Sequence, residues 1–169
     1  MYIGTSDAKL LRTGSEDGAG SYESSNFVEF GIKYLRGVSN QLYLETGLNY
    51  SSSDVKITPV FVGENSPLSS YKELKLVSVP INAHYEFWKY LFVNGGPLLD
   101  FEITDNTNWI DSQSGIGYIL GFGGKYRFNK LSLFVNPNFK RHAVVPFKRE
   151  NNHQKLTEVG VQFGLGFEF

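Results

Sequence analysis

Apolar and polar residues alternate along most of this chain with a period of two, the repeat of a β-strand that shows one apolar face. The stretch VGVQFGLGFEF at 159–169 puts Val159, Val161, Phe163, Leu165, Phe167 and Phe169 on one face. Gly160, Gln162, Gly164, Gly166 and Glu168 fall on the other. The same reading gives strands at about 26–36, 41–51, 73–87, 90–104, 115–128, 130–140 and 156–169, seven in all. The opening MYIGTS, about 1–6, supplies an eighth strand that is short or truncated. Several of these runs exceed the roughly 5 to 6 residues of a globular strand and suit the roughly 9 to 11 of a tilted membrane-spanning one.

The connections add a second regularity. RGVSN, WK and the FNK corner are tight turns, whereas the segments around 7–25, 52–71, 105–114 and 141–155 are long and polar. Short and long connections therefore alternate, as they do in bacterial outer-membrane barrels. The expected fold is all-β: an antiparallel up-and-down eight-stranded transmembrane β-barrel, with 1–169 as a single domain. Tyr34, Tyr43, Tyr85, Phe87, Trp88, Tyr90, Tyr126, Phe128 and Phe169 gather at the strand ends next to the short turns, where an aromatic girdle would meet one membrane interface.

Alternation alone leaves open which face looks inward, since a soluble lipocalin-like barrel would bury the apolar one. The polar face discriminates. It is crowded with glycine, including Gly31, Gly47, Gly96, Gly117, Gly121, Gly123, Gly160, Gly164 and Gly166, which weakens a solvent-facing strand but makes room in a narrow lumen. The long side chains to be housed there are Glu29, Lys33, Glu45, Lys125, Arg127, Glu158 and Glu168. Eight strands leave an interior just filled by side chains, so a plugged lumen with a paired charge network of Glu29, Lys33, Glu45, Lys125, Arg127 and Glu158 is expected.

Composition sharpens this picture. Aromatics make up 15% of the chain and charged residues 20%, a balance that favours strands. The net charge of −1 offers no field for nucleic acid. No apolar run reaches the roughly 18 to 20 residues of a spanning helix, a limit that does not touch barrels, in which only alternate residues meet lipid. Cysteine is absent, which removes thiol chemistry and zinc ribbons. MYIGTSDAKL lacks the charged and apolar regions of a secretory signal, so an exported form would have had its signal removed or left out.

Three stretches in order, LKLVSVPINAHYEFWKYLFVNGGPLLDF (74–101), GYILGFGGKYRF (117–128) and VGVQFGLGFEF (159–169), give the chain a family likeness. It resembles the PorT-like outer-membrane β-barrels common in Bacteroidetes, eight-stranded barrels of the OmpA and OmpX type. The resemblance covers about 26–169 and implies a bacterial outer-membrane location, outer-membrane lipid as surroundings, and a final strand (Phe163, Leu165, Phe167, Phe169) read by the outer-membrane assembly machinery. None of the three stretches is a catalytic signature, and no cofactor is expected. Members include a secretion component and many barrels without assigned roles.

Candidate chemistry is sparse. His84 shares a face with Ser78 and lies one strand from Asp100, but the spacing does not support a Ser/His/Asp site. His142 is followed by Ala143 and Val144, and His153 lies in a loop, so no catalytic residue is expected. Asp54, Glu64, Asp105 and Asp111 fall in long connections without a cation-binding motif, and no metal site is expected. RHAVVPFKRE (141–150) has basic residues able to touch anionic lipid head groups, although plain loop solubility is the simpler account. Val60, Phe61 and Val62 could extend a hairpin and offer a protein partner an edge. The sequence thus favours a monomeric, non-enzymatic barrel acting through its extracellular loops or as an envelope or secretion-associated anchor. A lipid-modifying outer-membrane barrel enzyme and a soluble lipocalin-like ligand-binding barrel are its competitors.

Overall fold

The computed structural model describes residues 1–12, 22–57, 70–104, 112–147 and 154–168. Eight strands run in chain order: β1 (Tyr2–Arg12), β2 (Tyr22–Gly37), β3 (Leu42–Ile57), β4 (Ser70–Phe87), β5 (Leu91–Glu102), β6 (Gly115–Phe128), β7 (Leu131–Pro146) and β8 (Gln154–Phe167). Each pairs antiparallel with its sequence neighbours, and β1 closes on β8 through an eleven-residue register from Tyr2↔Gly164 to Arg12↔Gln154. The sheet is a closed barrel without an edge, so every strand finds hydrogen-bond partners on both sides.

Five strands, β1 to β4 and β7, are longer than the alternation pattern suggests, whereas β5, at 12 residues against about 90–104, is shorter. β1 has 11 residues where the sequence suggested about six, and β2, β3 and β7 have 16 each. The extra residues, such as SSDVKI (52–57) on β3 and SYK (70–72) on β4, are mostly polar. Backbone pairing continues above the level at which one face has to be apolar, so a reading by hydrophobic period stops early. β7 was expected to end at about 140, with 141–150 as loop; instead 141–146 stay in the strand. A register shift between Ile116 and Tyr118, together with the left-handed Ala143 (φ 47°) opposite, hides the continuation by breaking the alternation.

The short connections at 38–41, 88–90 and 129–130 lie together at one end, and Asn129 takes the left-handed backbone conformation (φ 55°) that a tight turn asks of it. Parity then sets the two faces. Outward positions carry the large exposed apolar side chains, among them Phe30, Ile32, Leu48, Leu120, Phe122, Leu133, Phe163 and Leu165. Inward positions carry most of the buried polar ones, among them Glu29, Glu45, Asn49, Asn82, Asp100, Lys140 and Glu158. Inward glycines give this crowded interior its room. A Cβ on Gly31 would lie 2.6 Å from the Leu48 carbonyl oxygen and 2.8 Å from the Tyr2 ring.

Tyr34, Tyr85, Trp88, Tyr90, Tyr126 and Phe128 face outward at the short-turn rim. Tyr43 does not join them. It shares inward parity with Glu45 and meets the His84 ring edge-on at 6.1 Å. Phe169 lies outside the described residues, while Phe167 is 61% exposed on the outer wall.

Candidate functional site

The interior is the only part of the molecule where polar chemistry is concentrated among the described residues, and it has three levels. At the long-connection end an apolar cap is made by Ala8, Phe27, Leu74, Leu76 and Leu156. Below it lies a packed ionic layer. At the short-turn end the lumen widens into a vestibule of about 550 Å³, lined by residues that include Lys33, Tyr43, His84, Phe92, Lys125 and Phe134.

Lys140 organises the ionic layer. Its Nζ contacts Glu29 Oε2 and lies 3.4 Å from Glu158 Oε2, with all three side chains almost wholly buried. Glu29 also accepts from Asn49 Nδ2 (2.8 Å) and Gln162 Nε2 (2.9 Å). Gln162 in turn accepts from Lys33 Nζ at 2.8 Å. Lys33 is 3.5 Å from Glu45, which further accepts from Asn82 and Asn94 (2.9 Å each) and lies 3.0 Å from His84 Nδ1. On the other side, His142 Nε2 is 2.8 Å from Glu158 and its Nδ1 is 3.0 Å from Asp100. Carboxylate oxygens thus face both ring nitrogens, an arrangement that supplies acceptors for a ring donating from each. Buried ions of this kind persist only when paired, because each one alone would carry several kcal/mol of desolvation.

Of the residues expected in the charge network, Glu29, Lys33, Glu45 and Glu158 meet in this layer. Lys125 stands at the vestibule, contacting Glu86. Arg127 sits at the rim instead of inside: it is 45% exposed, with Nε 3.4 Å from Glu168. Lys140, His142 and Asp100, which complete the layer, were not picked out as members of a network. Lys140 and Asp100 were on the polar face in sequence, but nothing in a one-dimensional pattern says which polar positions of β5, β7 and β8 share a level.

The Ser78, His84 and Asp100 set does not assemble as a triad. Ser78 Oγ donates to Asp100 Oδ1 at 2.6 Å, while His84 turns to Glu45. The histidine beside Asp100 is His142, whose own chain neighbours Ala143 and Val144 offer no serine. Even so the carboxylate stands between hydroxyl and ring, whereas nucleophile activation needs the ring between hydroxyl and carboxylate. Among the described residues no group of three or more His, Asp and Glu side chains is placed to hold a metal ion. Asp54 belongs to the loop end of β3; Glu64, Asp105, Asp111, His153, Val60, Phe61, Val62 and 148–150 lie outside the described residues.

The ionic layer also closes the bore. The void among Tyr2, Leu98, Ile119, Lys140 and their neighbours is about 10 Å³, room for one water at most.

No family model matches the chain, and no curated protein matches it. Among solved structures it is similar to a KdgM porin, with 13% identity over 97% of this chain and 99% of that one and a TM-score of 0.25. At that identity and overlap, the chain's role has to be argued from its own residues.

Proposed function

We propose that this chain is a monomeric, non-enzymatic integral barrel of the bacterial outer membrane, with a side-chain-filled lumen. It would act through its extracellular loops or as an envelope or secretion-associated anchor. The observation that carries the reading is the inverted partition of the barrel: buried ions inside, and a continuous wall of exposed Phe, Leu, Ile, Val and Tyr outside. Soluble monomers rarely expose apolar patches beyond a few hundred Å²; here the patch encircles the barrel. On β8 five outward positions, Val159 to Phe167, cover eight residue steps. At ~3.4 Å per residue and ~40° tilt that is ~21 Å of height, close to the ~25 Å apolar band of such barrels.

The short-turn end, with its aromatic rim, belongs on the periplasmic side, and the outward aromatics of β8 are the strand the assembly machinery would read. The three stretches at 74–101, 117–128 and 159–169 favour the PorT-like group within this class. Unboiled and boiled samples run in detergent gels test the reading: a folded barrel should migrate differently before boiling. Abundant folded protein in aqueous buffer without detergent would reject it in favour of the lipocalin-like alternative.

A further inference from the structure

The vestibule is a cup with one closed end. Arg127, Lys130 and Glu168 stand exposed at its mouth on the short-turn side, and the ionic layer closes it, leaving a void of about 10 Å³. A molecule entering from the short-turn side leaves the same way, so the cup can bind but not conduct. Its volume of about 550 Å³ falls within the roughly 300 to 1,000 Å³ of small-molecule sites. Glycine keeps it open. A Cβ on Gly123 would collide with the Phe92 ring and one on Gly164 with the Phe134 ring, so both rings rest against bare backbone instead of crossing the bore.

The lining joins apolar surface to positive charge. Tyr43 on β3 and Phe134 on β7 are half-buried and stand four strands apart in the ring of eight, on opposite walls. Lys33 Nζ lies 5.5 Å from the centre of the Phe134 ring, and Lys125 Nζ 5.9 Å from that of Tyr43. Four cationic side chains line the cup, Lys33, Lys125, Arg127 and Lys130, against three carboxylates, Glu45, Glu86 and Glu168. Lys33, Lys125 and Arg127 face those carboxylates in turn. Lys130 has no carboxylate partner among the described residues, and Arg127 beside it at the mouth is 45% exposed. The excess charge therefore sits where both solvent and a ligand reach it.

We propose that the vestibule binds a small aromatic carboxylate, its ring held between the Tyr43 and Phe134 walls and its carboxylate turned to Lys130 and Arg127 at the mouth. Offset or edge-on contacts between rings favour such a body beyond the area they bury, and the two cations supply charge-assisted donors. The site itself is independent of the membrane reading; only its opening to the periplasm rests on that reading.

The test is fluorine-detected NMR of 6-fluoro-2-naphthoate titrated with the barrel in lipid nanodiscs, with empty nanodiscs as background and heat-modifiable migration as the folding control. Wild type should bind saturably above background, and the neutral 6-fluoro-2-naphthamide about tenfold more weakly. Lys130→Glu, at an exposed turn, should also weaken binding about tenfold, the effect of one charge-assisted contact. Ser132→Trp fills the cup from a half-buried position on its wall and should abolish binding. Absence of saturable binding by the wild type overturns the proposal, and so does equal affinity for acid and amide. Unchanged binding by a folded Ser132→Trp barrel, or complete displacement by millimolar acetate, overturns it as well, the first placing the ligand elsewhere and the second marking a general anion patch. A chain that stays folded in buffer and does not enter nanodiscs removes the membrane reading instead, and the same titration in buffer then decides the site.

Discussion

Replacing Lys140 by methionine tests whether the barrel interior is a packed ionic layer or a hydrated channel. The ammonium is 2% exposed, contacts Glu29 and stands 3.4 Å from Glu158, which are equally buried. Methionine keeps most of the stem's volume and removes the charge. Four carboxylates at this level (Glu29, Glu45, Asp100, Glu158) would then face Lys33 and the two histidines, and Glu29 would keep only its neutral amide donors from Asn49 and Gln162. Breaking a buried pair by deleting one partner costs about 3–5 kcal/mol. Because two carboxylates lose contact, the upper part of that range is expected. With ~2 kcal/mol per M of urea, the unfolding midpoint in lipid vesicles, followed by the heat-modifiable band, should fall by ~2 M. The double variant Lys140→Met/Glu29→Gln removes one charge of each sign and leaves Glu158 on His142; it should recover at least half of the loss. A single variant within ~1 kcal/mol of wild type would refute the packed layer, since only water could shield the stranded carboxylates so well.

Other outcomes follow from the same geometry. Phe163 is the middle of five outward positions on β8 and half-exposed, so Phe163→Arg should lower stability in lipid by about 2–4 kcal/mol; tolerance in urea titrations would argue that this wall does not meet hydrocarbon. Gly31→Val would press a Cβ to 2.6 Å from the Leu48 carbonyl oxygen, and refolding yields should drop sharply, whereas free refolding would mean that the β2–β3 pair is less close than described. In planar bilayers the wild type should show no steady large conductance, because the void at mid-lumen holds one water at most. Incubation with lipid A should leave its mass unchanged, and a shift abolished by His142→Ala or Ser78→Ala would restore the enzyme reading.

The period-two pattern was enough to place strands β2 to β8 approximately, because in a one-layer barrel each residue has only two environments and the sequence must choose one of them at every step. The rhythm of short and long connections likewise follows from the chain. Glycine on the polar face marks a narrow interior in the sequence itself, since a side chain there would collide with its cross-strand neighbours.

Other features depend on closure. β1 was legible for only half its length: its upper part lacks an apolar face and is held by pairing with β8, a partner some 150 residues away. Lys140, His142 and Asp100 come to one level only after the strands are staggered around the barrel, and the bulge at Ala143 masks the upper part of β7. Tyr43 could be counted with the rim aromatics by position, but parity turns it into the vestibule. The sequence by itself determined which residues alternate and where the chain turns, because those are local properties of a strand. The tertiary structure decided which charges meet and where the bore is blocked, because register and stagger between strands set those distances.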